Sequence, residues 1–106
     1  MSNSIHQTRR ALSATELVSQ LTQLNGEQVP GWRLIDGALE KTFSFKNYYE
    51  TMAFVNAVAY IAHAENHHPD LTVSYDQCTV RLNTHDVGGV SVSDFFCASK
   101  FNALLV

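Results

Sequence analysis

The fold of this chain follows from residues 32–45, which read WRLIDGALEKTFSF. Two short stretches of β-forming residues, 32–35 and 38–45, are separated by Asp36-Gly37, a dipeptide that suits the tight turn of a β-hairpin. Along the second stretch two sets of side chains alternate, as in a strand with one buried face. The side chains predicted to face the core are Leu39, Phe43 and Phe45. The stretch therefore predicts an antiparallel hairpin.

A helix is predicted on the N-terminal side of this hairpin. Ser13 followed by Glu16 is a capping-box pattern, and leucines recur after it at helical spacing. Asn25-Gly26 supplies residues that tolerate a left-handed backbone and end helices. The first helix should run from about Ser13 to Asn25.

A second helix is predicted on the C-terminal side of the hairpin. Asn47 followed by Glu50 gives a similar start, and Pro69 gives the stop, because the residue before a proline is pushed out of the helical region. The helix should run to about Asn66. Its predicted apolar stripe consists of Met52, Val55 and Ala59, flanked by Phe54, Val58, Tyr60 and Ile61.

The same order of elements follows in the rest of the chain. Residues 71–75 and 78–83 alternate in polarity around a turn at Asp76-Gln77, which predicts a second hairpin with Tyr75 in its first strand. Ser91 followed by Asp94 begins a third helix that should extend to about Leu104. The predicted buried stripe of that helix is Phe95, Ala98, Phe101 and Leu105.

The predicted order is α-β-β-α-β-β-α in a single domain spanning residues 1–106, of which 1–11 are expected to be flexible. Two hairpins can form a four-stranded antiparallel sheet, and three amphipathic helices can cover one face of it. The prediction is an α+β fold of two layers. One sheet face and at least one edge would stay free, so we expect pairing between subunits in a homodimer or homotetramer.

Composition and charge argue against several classes of function. The net charge is -3, and the seven Lys and Arg are scattered apart from one adjacent pair, whereas a nucleic-acid surface needs clustered cations. We find no apolar run long enough to span a bilayer and no secretory signal, so we expect a cytoplasmic protein without a membrane partner. The two cysteines, Cys78 and Cys97, should be buried rather than reactive.

Three of the five histidines lie at boundaries between predicted elements. His67 and His68 follow the second helix, and His85 follows the last strand, so all three could meet in one cleft. Histidine suits proton transfer, because its ordinary pKa of roughly 6.5 leaves both protonation states available near neutral pH. A helix cap and a loop residue would explain the same positions equally well.

The histidines belong to a longer set of residues: Asn66-His67-His68-Pro69-Asp70, Tyr75, Leu82-Asn83-Thr84-His85, Gly89-Val90-Ser91 and Asp94, with Gly31-Trp32 and Phe43-Ser44-Phe45 before them. This set resembles the signature of the pterin-4a-carbinolamine dehydratase family. The resemblance extends over most of residues 13–104 and implies the same α+β fold.

The resemblance implies dehydration of a 4a-hydroxytetrahydropterin to the quinonoid dihydropterin and water. Enzymes of this kind recycle the tetrahydropterin that aromatic amino acid hydroxylases use as cosubstrate, and they need no metal or other cofactor. By similarity, His67 and His85 are the acid–base pair and His68 binds or orients the ring. The implied substrate contacts are His67, His68, Pro69, Thr84, His85, Asp86 and Val87.

Two further residues have a structural and a functional interpretation. Asp94 is either a capping residue or the group that holds a catalytic histidine in one tautomer. Trp32 either stacks on the pterin or packs at the base of the first hairpin. His63 stands where the family commonly has a glutamate, which puts the pH optimum in doubt more than the reaction.

Two alternatives from other classes remain open at this point. Proteins resembling this family also serve as transcriptional coactivators or as non-catalytic assembly modules. His63, His67 and His85 could instead hold zinc, since two of them are four residues apart, although Glu65 is misplaced for a metal-dependent hydrolase.

Overall fold

The computed structural model describes residues 10–27 and 29–106. Within them lie three α-helices and four strands, an α+β fold in the predicted order. The helices are α1 (Ala14–Asn25), α2 (Tyr48–Glu65) and α3 (Val92–Asn102). The strands are β1 (Arg33–Ile35), β2 (Ala38–Ser44), β3 (Asp70–Val73) and β4 (Gln77–Leu82), and short 3₁₀ helices cover His85–Val87 and Ala103–Leu105.

The four strands form one antiparallel sheet in the order β1-β2-β4-β3. The two hairpins therefore join through their second strands, β2 and β4. Cross-strand partners such as Leu39 with Leu82 and Phe43 with Cys78 share one face, and all four are buried in the core beneath the helices. The opposite face is polar, with the hydroxyls of Thr42 and Thr79 2.8 Å apart.

The helix starts are those that the capping patterns predict. Ser13 and Glu16 form a reciprocal capping box at α1, and the side chain of Asn47 accepts a 2.9 Å hydrogen bond from the Glu50 amide at α2. Such caps satisfy backbone donors that have no partner inside the helix. Short polar patterns therefore determine where each helix begins.

The buried face of α2 differs from the predicted stripe. Its buried residues are Thr51, Phe54, Val58 and Ala62. Phe54 and Val58, predicted as flanks of the stripe, are thus buried, whereas its predicted centre is not: Met52 and Val55 are only half-buried, and Ala59 is exposed. The helix is apolar on nearly every face, and periodicity alone then cannot select the side that packs on the sheet.

The end of the chain also departs from its prediction. α3 ends at Asn102 and tightens into a 3₁₀ turn, whose different pitch takes Leu105 away from the line of Phe95 and Phe101. Leu105 is consequently 43% exposed, whereas Phe95 and Phe101 are buried as predicted.

The second hairpin turns earlier than predicted. β3 ends at Val73, and a hydrogen bond of 2.9 Å from the Ser74 amide to the Gln77 carbonyl closes the turn, so Tyr75 lies in the turn and is 63% exposed. In the first hairpin, Phe45 lies just beyond β2 and is half-buried, with its ring 5.1 Å from that of Phe54.

Both cysteines are buried, as predicted. Burial raises the pKa of the Cys78 thiol, and it raises that of Cys97 to about 12 with the help of nearby Glu65 and Asp94. A thiol in such a site stays protonated and unreactive.

The predicted flexible segment, residues 1–11, falls mostly outside the described residues, which begin at Arg10. No helix in the described part of the chain is both long enough and apolar enough to cross a membrane.

Candidate active site

Two chain segments meet at one end of the sheet. The first connects α2 to β3, and the second follows β4. Because Asp70 at the start of β3 pairs with Arg81 near the end of β4, the residues before Asp70 lie beside those after Leu82. The antiparallel pairing therefore brings together histidines that are far apart in sequence.

These segments form a cleft of about 450 Å³, within the range of small-molecule sites. Its lining residues are Asn66, His67, His68, Pro69, Asp70, Asn83, Thr84, His85 and Asp86. All three predicted catalytic histidines are among them. The loop after β4 is shaped by a 2.8 Å hydrogen bond from the Thr84 amide to the Gly89 carbonyl.

The predicted substrate contacts coincide with this lining, with one exception. Val87 is half-buried in the 3₁₀ helix and does not line the cleft. The cleft also includes Asn66, Asp70 and Asn83, which sequence reasoning placed in the family signature but not among the site residues. Their positions next to predicted site residues at element ends are the signal that could have identified them.

His67 differs from the other two histidines in its surroundings. Its side chain is only 7% exposed, and its Nε2 lies 2.6 Å from Oδ1 of the fully buried Asp94. A carboxylate in its ionised form can only accept hydrogen bonds, and in that form of Asp94 the proton of this contact belongs to Nε2. His68 and His85 are exposed on the cleft.

The second oxygen of Asp94 completes a buried network. Oδ2 accepts hydrogen bonds of 2.9 Å from the Ser91 amide and 2.8 Å from the Thr84 hydroxyl. The Thr84 and Ser91 hydroxyls are 2.7 Å apart. Asp94 thus makes the contacts of both interpretations at once, because one oxygen caps α3 while the other holds the His67 ring.

Trp32 lies outside the cleft. It is 1% exposed, its Nε1 donates a 2.9 Å hydrogen bond to the Asn102 side chain, and its ring packs edge-on against Phe43 with centroids 5.8 Å apart. These are the contacts expected of a core residue at the base of the first hairpin.

The histidine one turn before the site also lies apart. His63 is exposed on α2 and is absent from the cleft lining. Across residues 10–27 and 29–106, no three His, Cys, Asp or Glu side chains are grouped closely enough to hold a metal ion.

Comparison with known proteins identifies the family. Residues 10–104 match the sequence profile described as pterin 4 alpha carbinolamine dehydratase. The chain belongs to the pterin-4a-carbinolamine dehydratase family. A relative carrying the family's name in Paracidovorax citrulli is 59% identical over 92% of this chain and 83% of its own length. Another, from Stenotrophomonas maltophilia, is 66% identical over 73% of this chain and 68% of its own length.

Solved structures of the pterin-4a-carbinolamine dehydratase fold give the same picture. A Brucella melitensis protein described as a transcriptional coactivator/pterin dehydratase is 30% identical with a TM-score of 0.82, covering 90% of this chain and 98% of its own. A pterin dehydratase-like RuBisCO assembly factor of the alpha-carboxysome is 23% identical with a TM-score of 0.62 over 70% of this chain and 88% of its own. The second likeness concerns the fold alone.

Proposed function

We propose that this chain is a hydro-lyase that converts 4a-hydroxytetrahydropterin to quinonoid dihydropterin and water. The observation that carries the proposal is the contact of 2.6 Å between His67 Nε2 and Asp94 in a cleft that also presents His68 and His85. A buried carboxylate that orients a histidine is a recurrent arrangement for proton transfer.

The reaction needs two proton transfers and no change of redox state. As the C–O bond at carbon 4a breaks, the lone pair of the adjacent ring nitrogen forms a C=N bond to that carbon. A general acid protonates the departing hydroxyl, which leaves as water, and a general base takes the proton of a ring N–H group. Each such transfer contributes typically about 10²–10⁴-fold, and no metal or other cofactor enters the balance.

His67 and His85 are the proposed acid–base pair. Because Asp94 engages Nε2 of His67, Nδ1 is the ring nitrogen left to exchange a proton with the substrate. His85 approaches from the opposite segment of the cleft, on a loop shaped by the Thr84 amide. Asp94 acts through His67 and is a positioning residue.

The remaining cleft residues hold the ring. The exposed His68 orients the pterin, and the segment at Asp86 offers polar groups to the amide-like edge of the ring. Thr84 lines the cleft, while its amide and hydroxyl are bonded within the protein. Val87 would support this segment from behind. We further propose that the enzyme works in the cytoplasm and recycles the tetrahydropterin of an aromatic amino acid hydroxylase.

A dehydration assay tests the proposal directly. Wild-type protein should accelerate loss of water from synthetic 4a-hydroxytetrahydropterin, and His67→Ala combined with His85→Ala should remove most of that acceleration. His63→Ala is the matched control, since His63 is exposed on α2 outside the cleft, and it should keep the wild-type rate. If well-folded wild-type protein gives no acceleration over the uncatalysed rate, the proposal is wrong.

A non-catalytic assembly role is the second candidate. It is favoured by the description of the Brucella melitensis structure as a coactivator and by exposed apolar residues on this chain, including Tyr49 and Tyr60 on α2. Recovery of one dominant partner from cell extract, by wild-type and histidine variants alike, would support this role. Loss of the partner in the histidine variants would count against it.

We also propose that the chain forms a homodimer or homotetramer. Its exposed apolar side chains are concentrated on α2 and at the C-terminus, where Tyr49 is 83%, Tyr60 76% and Val106 71% exposed. Apolar surface of this kind is typical of contacts between subunits.

A further inference from the structure

Asn66 has an unusual backbone conformation at the edge of the cleft. Its φ of 51° and ψ of 44° lie in the left-handed region, and among the described residues Asp36 is the only other non-glycine residue with positive φ. A Cβ atom disfavours this region, although asparagine and aspartate tolerate it better than other residues with a side chain. Contacts of the surrounding chain must therefore hold Asn66 in this conformation.

The hydrogen bonds at this point form the arrangement in which a left-handed residue ends a helix. The Asn66 amide donates to the His63 carbonyl at 3.2 Å, and the His67 amide reaches back to the Ala62 carbonyl at 3.0 Å. In this motif the residue after the left-handed one folds back onto the helix, where an apolar side chain usually makes the contact. Here that residue is His67.

His67 and His68 are adjacent, yet they have opposite surroundings. The turn at Asn66 sends the His67 ring inward to Asp94, with 7% of it exposed, while His68 remains exposed on the cleft. A helical or extended residue at position 66 would rotate the chain and take the His67 ring away from Asp94. The left-handed turn is thus the local cause of the contact between His67 and Asp94.

We propose that Asn66 is a positioning residue whose left-handed backbone, rather than its amide group, sets the His67 ring against Asp94. The inference deepens the proposed dehydratase function and rests on it for its effect on the reaction. Its effect on the His67 ring can be measured independently of any activity.

Three substitutions separate the backbone from the side chain. Glycine adopts the left-handed region freely, so Asn66→Gly should keep the turn and most of the wild-type activity. Alanine disfavours it, and Asn66→Ala should lower kcat by about 10- to 100-fold, since displacement of a catalytic group by about 1 Å has effects of this size. Asp36→Ala introduces the same backbone conflict at the β1–β2 turn, outside the cleft, and should keep the wild-type kcat.

Proton NMR of the same proteins reports on the His67 ring. A ring N–H that is hydrogen-bonded to a buried carboxylate gives a slowly exchanging downfield signal, which His67→Ala assigns by removing it. We expect the signal in wild-type, Asn66→Gly and Asp36→Ala proteins and its loss or displacement in Asn66→Ala.

The outcomes are distinct. An unchanged signal and kcat in Asn66→Ala would overturn the inference, and so would an equal loss in Asn66→Gly and Asn66→Ala, since the amide would then be the group that matters. If the signals behave as expected but wild-type protein has no dehydratase activity, the positioning role holds and the proposed reaction fails.

Discussion

At the scale of single residues, the site depends on the Asp94 carboxylate, which both caps α3 and holds the His67 ring. Asp94 is fully buried, and its oxygens contact the His67 ring, the Ser91 amide and the Thr84 hydroxyl. All three partners donate to it, so the carboxylate form is matched to its surroundings. An amide of the same shape could accept at only one oxygen and would present N–H groups to the other donors.

Asp94→Asn should therefore lower both stability and activity. Because the substitution leaves buried donors without an acceptor, the free energy of unfolding should fall by about 1–3 kcal/mol. The expected loss in kcat is at least about tenfold and at most the roughly 10²–10⁴-fold that a general acid–base group supplies. Urea denaturation and the dehydration assay measure the two effects. Glu50→Gln makes the same acid-to-amide change in the first turn of α2, on an exposed residue, and should leave kcat unchanged.

The sequence predicts the three histidines and the cap at Ser91, but not the buried network that connects His67 through Asp94 to Thr84 and Ser91. Capping is local, so Asp94 can be recognised as a capping residue because it follows Ser91 by three positions. The contacts from Asp94 to His67 and Thr84 cross 27 and 10 residues of chain and depend on how α3 packs against the sheet. Likewise, the sequence shows an asparagine before His67 but not the left-handed backbone that this asparagine adopts.

At the scale of secondary-structure elements, local signals predict the starts of helices better than their faces. Ser13 and Asn47 begin their helices as expected, because a cap involves only neighbouring residues. The buried face of α2 and the position of Leu105 were predicted wrongly, since both depend on packing that the local sequence does not specify. The β3–β4 turn lies earlier than predicted, because the hydrogen bond from the Ser74 amide to the Gln77 carbonyl closes the turn and leaves Tyr75 outside the strand.

The start of α1 carries a charge pair whose effect on stability should depend on pH. Arg10 donates two hydrogen bonds to Glu16, of 2.8 and 2.7 Å, and together with a hydrogen bond from the Ser13 amide they lower the pKa of the Glu16 carboxyl from 4.5 to about 2. A carboxyl whose pKa is lowered by folding stabilises the fold above pH 4.5, and this stabilisation is lost as the pH falls toward 2.

Glu16→Gln should consequently lower Tm near neutral pH, and the difference from wild type should shrink between pH 4.5 and about 2. Because both side chains are well exposed, the effect should be small and should decrease in added salt. Thermal denaturation across this pH range measures it. Arg10→Gln should reduce this pH dependence, leaving the part due to the Ser13 amide, and a constant difference between wild type and Glu16→Gln at all pH values would contradict the assignment.

At the scale of the whole molecule, the two layers have different free surfaces. The uncovered sheet face is polar, with an ion pair between Glu40 and Arg81 and hydroxyls at Thr42 and Thr79. The outer side of α2 by contrast exposes three tyrosines, Tyr48, Tyr49 and Tyr60, beside a few polar residues. The solvent-facing side of a helix is normally polar. Burial of apolar surface drives association, so we expect α2 to supply more of a subunit contact than the sheet face.

Tyr60 provides the test, since it is 76% exposed on α2. The wild-type chain should sediment as a species heavier than its 11.8 kDa monomer, and Tyr60→Glu should shift it toward the monomer because a buried carboxylate without a partner opposes association. Tyr75→Glu is the matched control: Tyr75 is 63% exposed in the turn beside the edge strand β3, and this variant should keep the wild-type assembly. Dissociation by Tyr75→Glu but not by Tyr60→Glu would instead place the contact at the sheet edge, one of the two free surfaces of the predicted sheet.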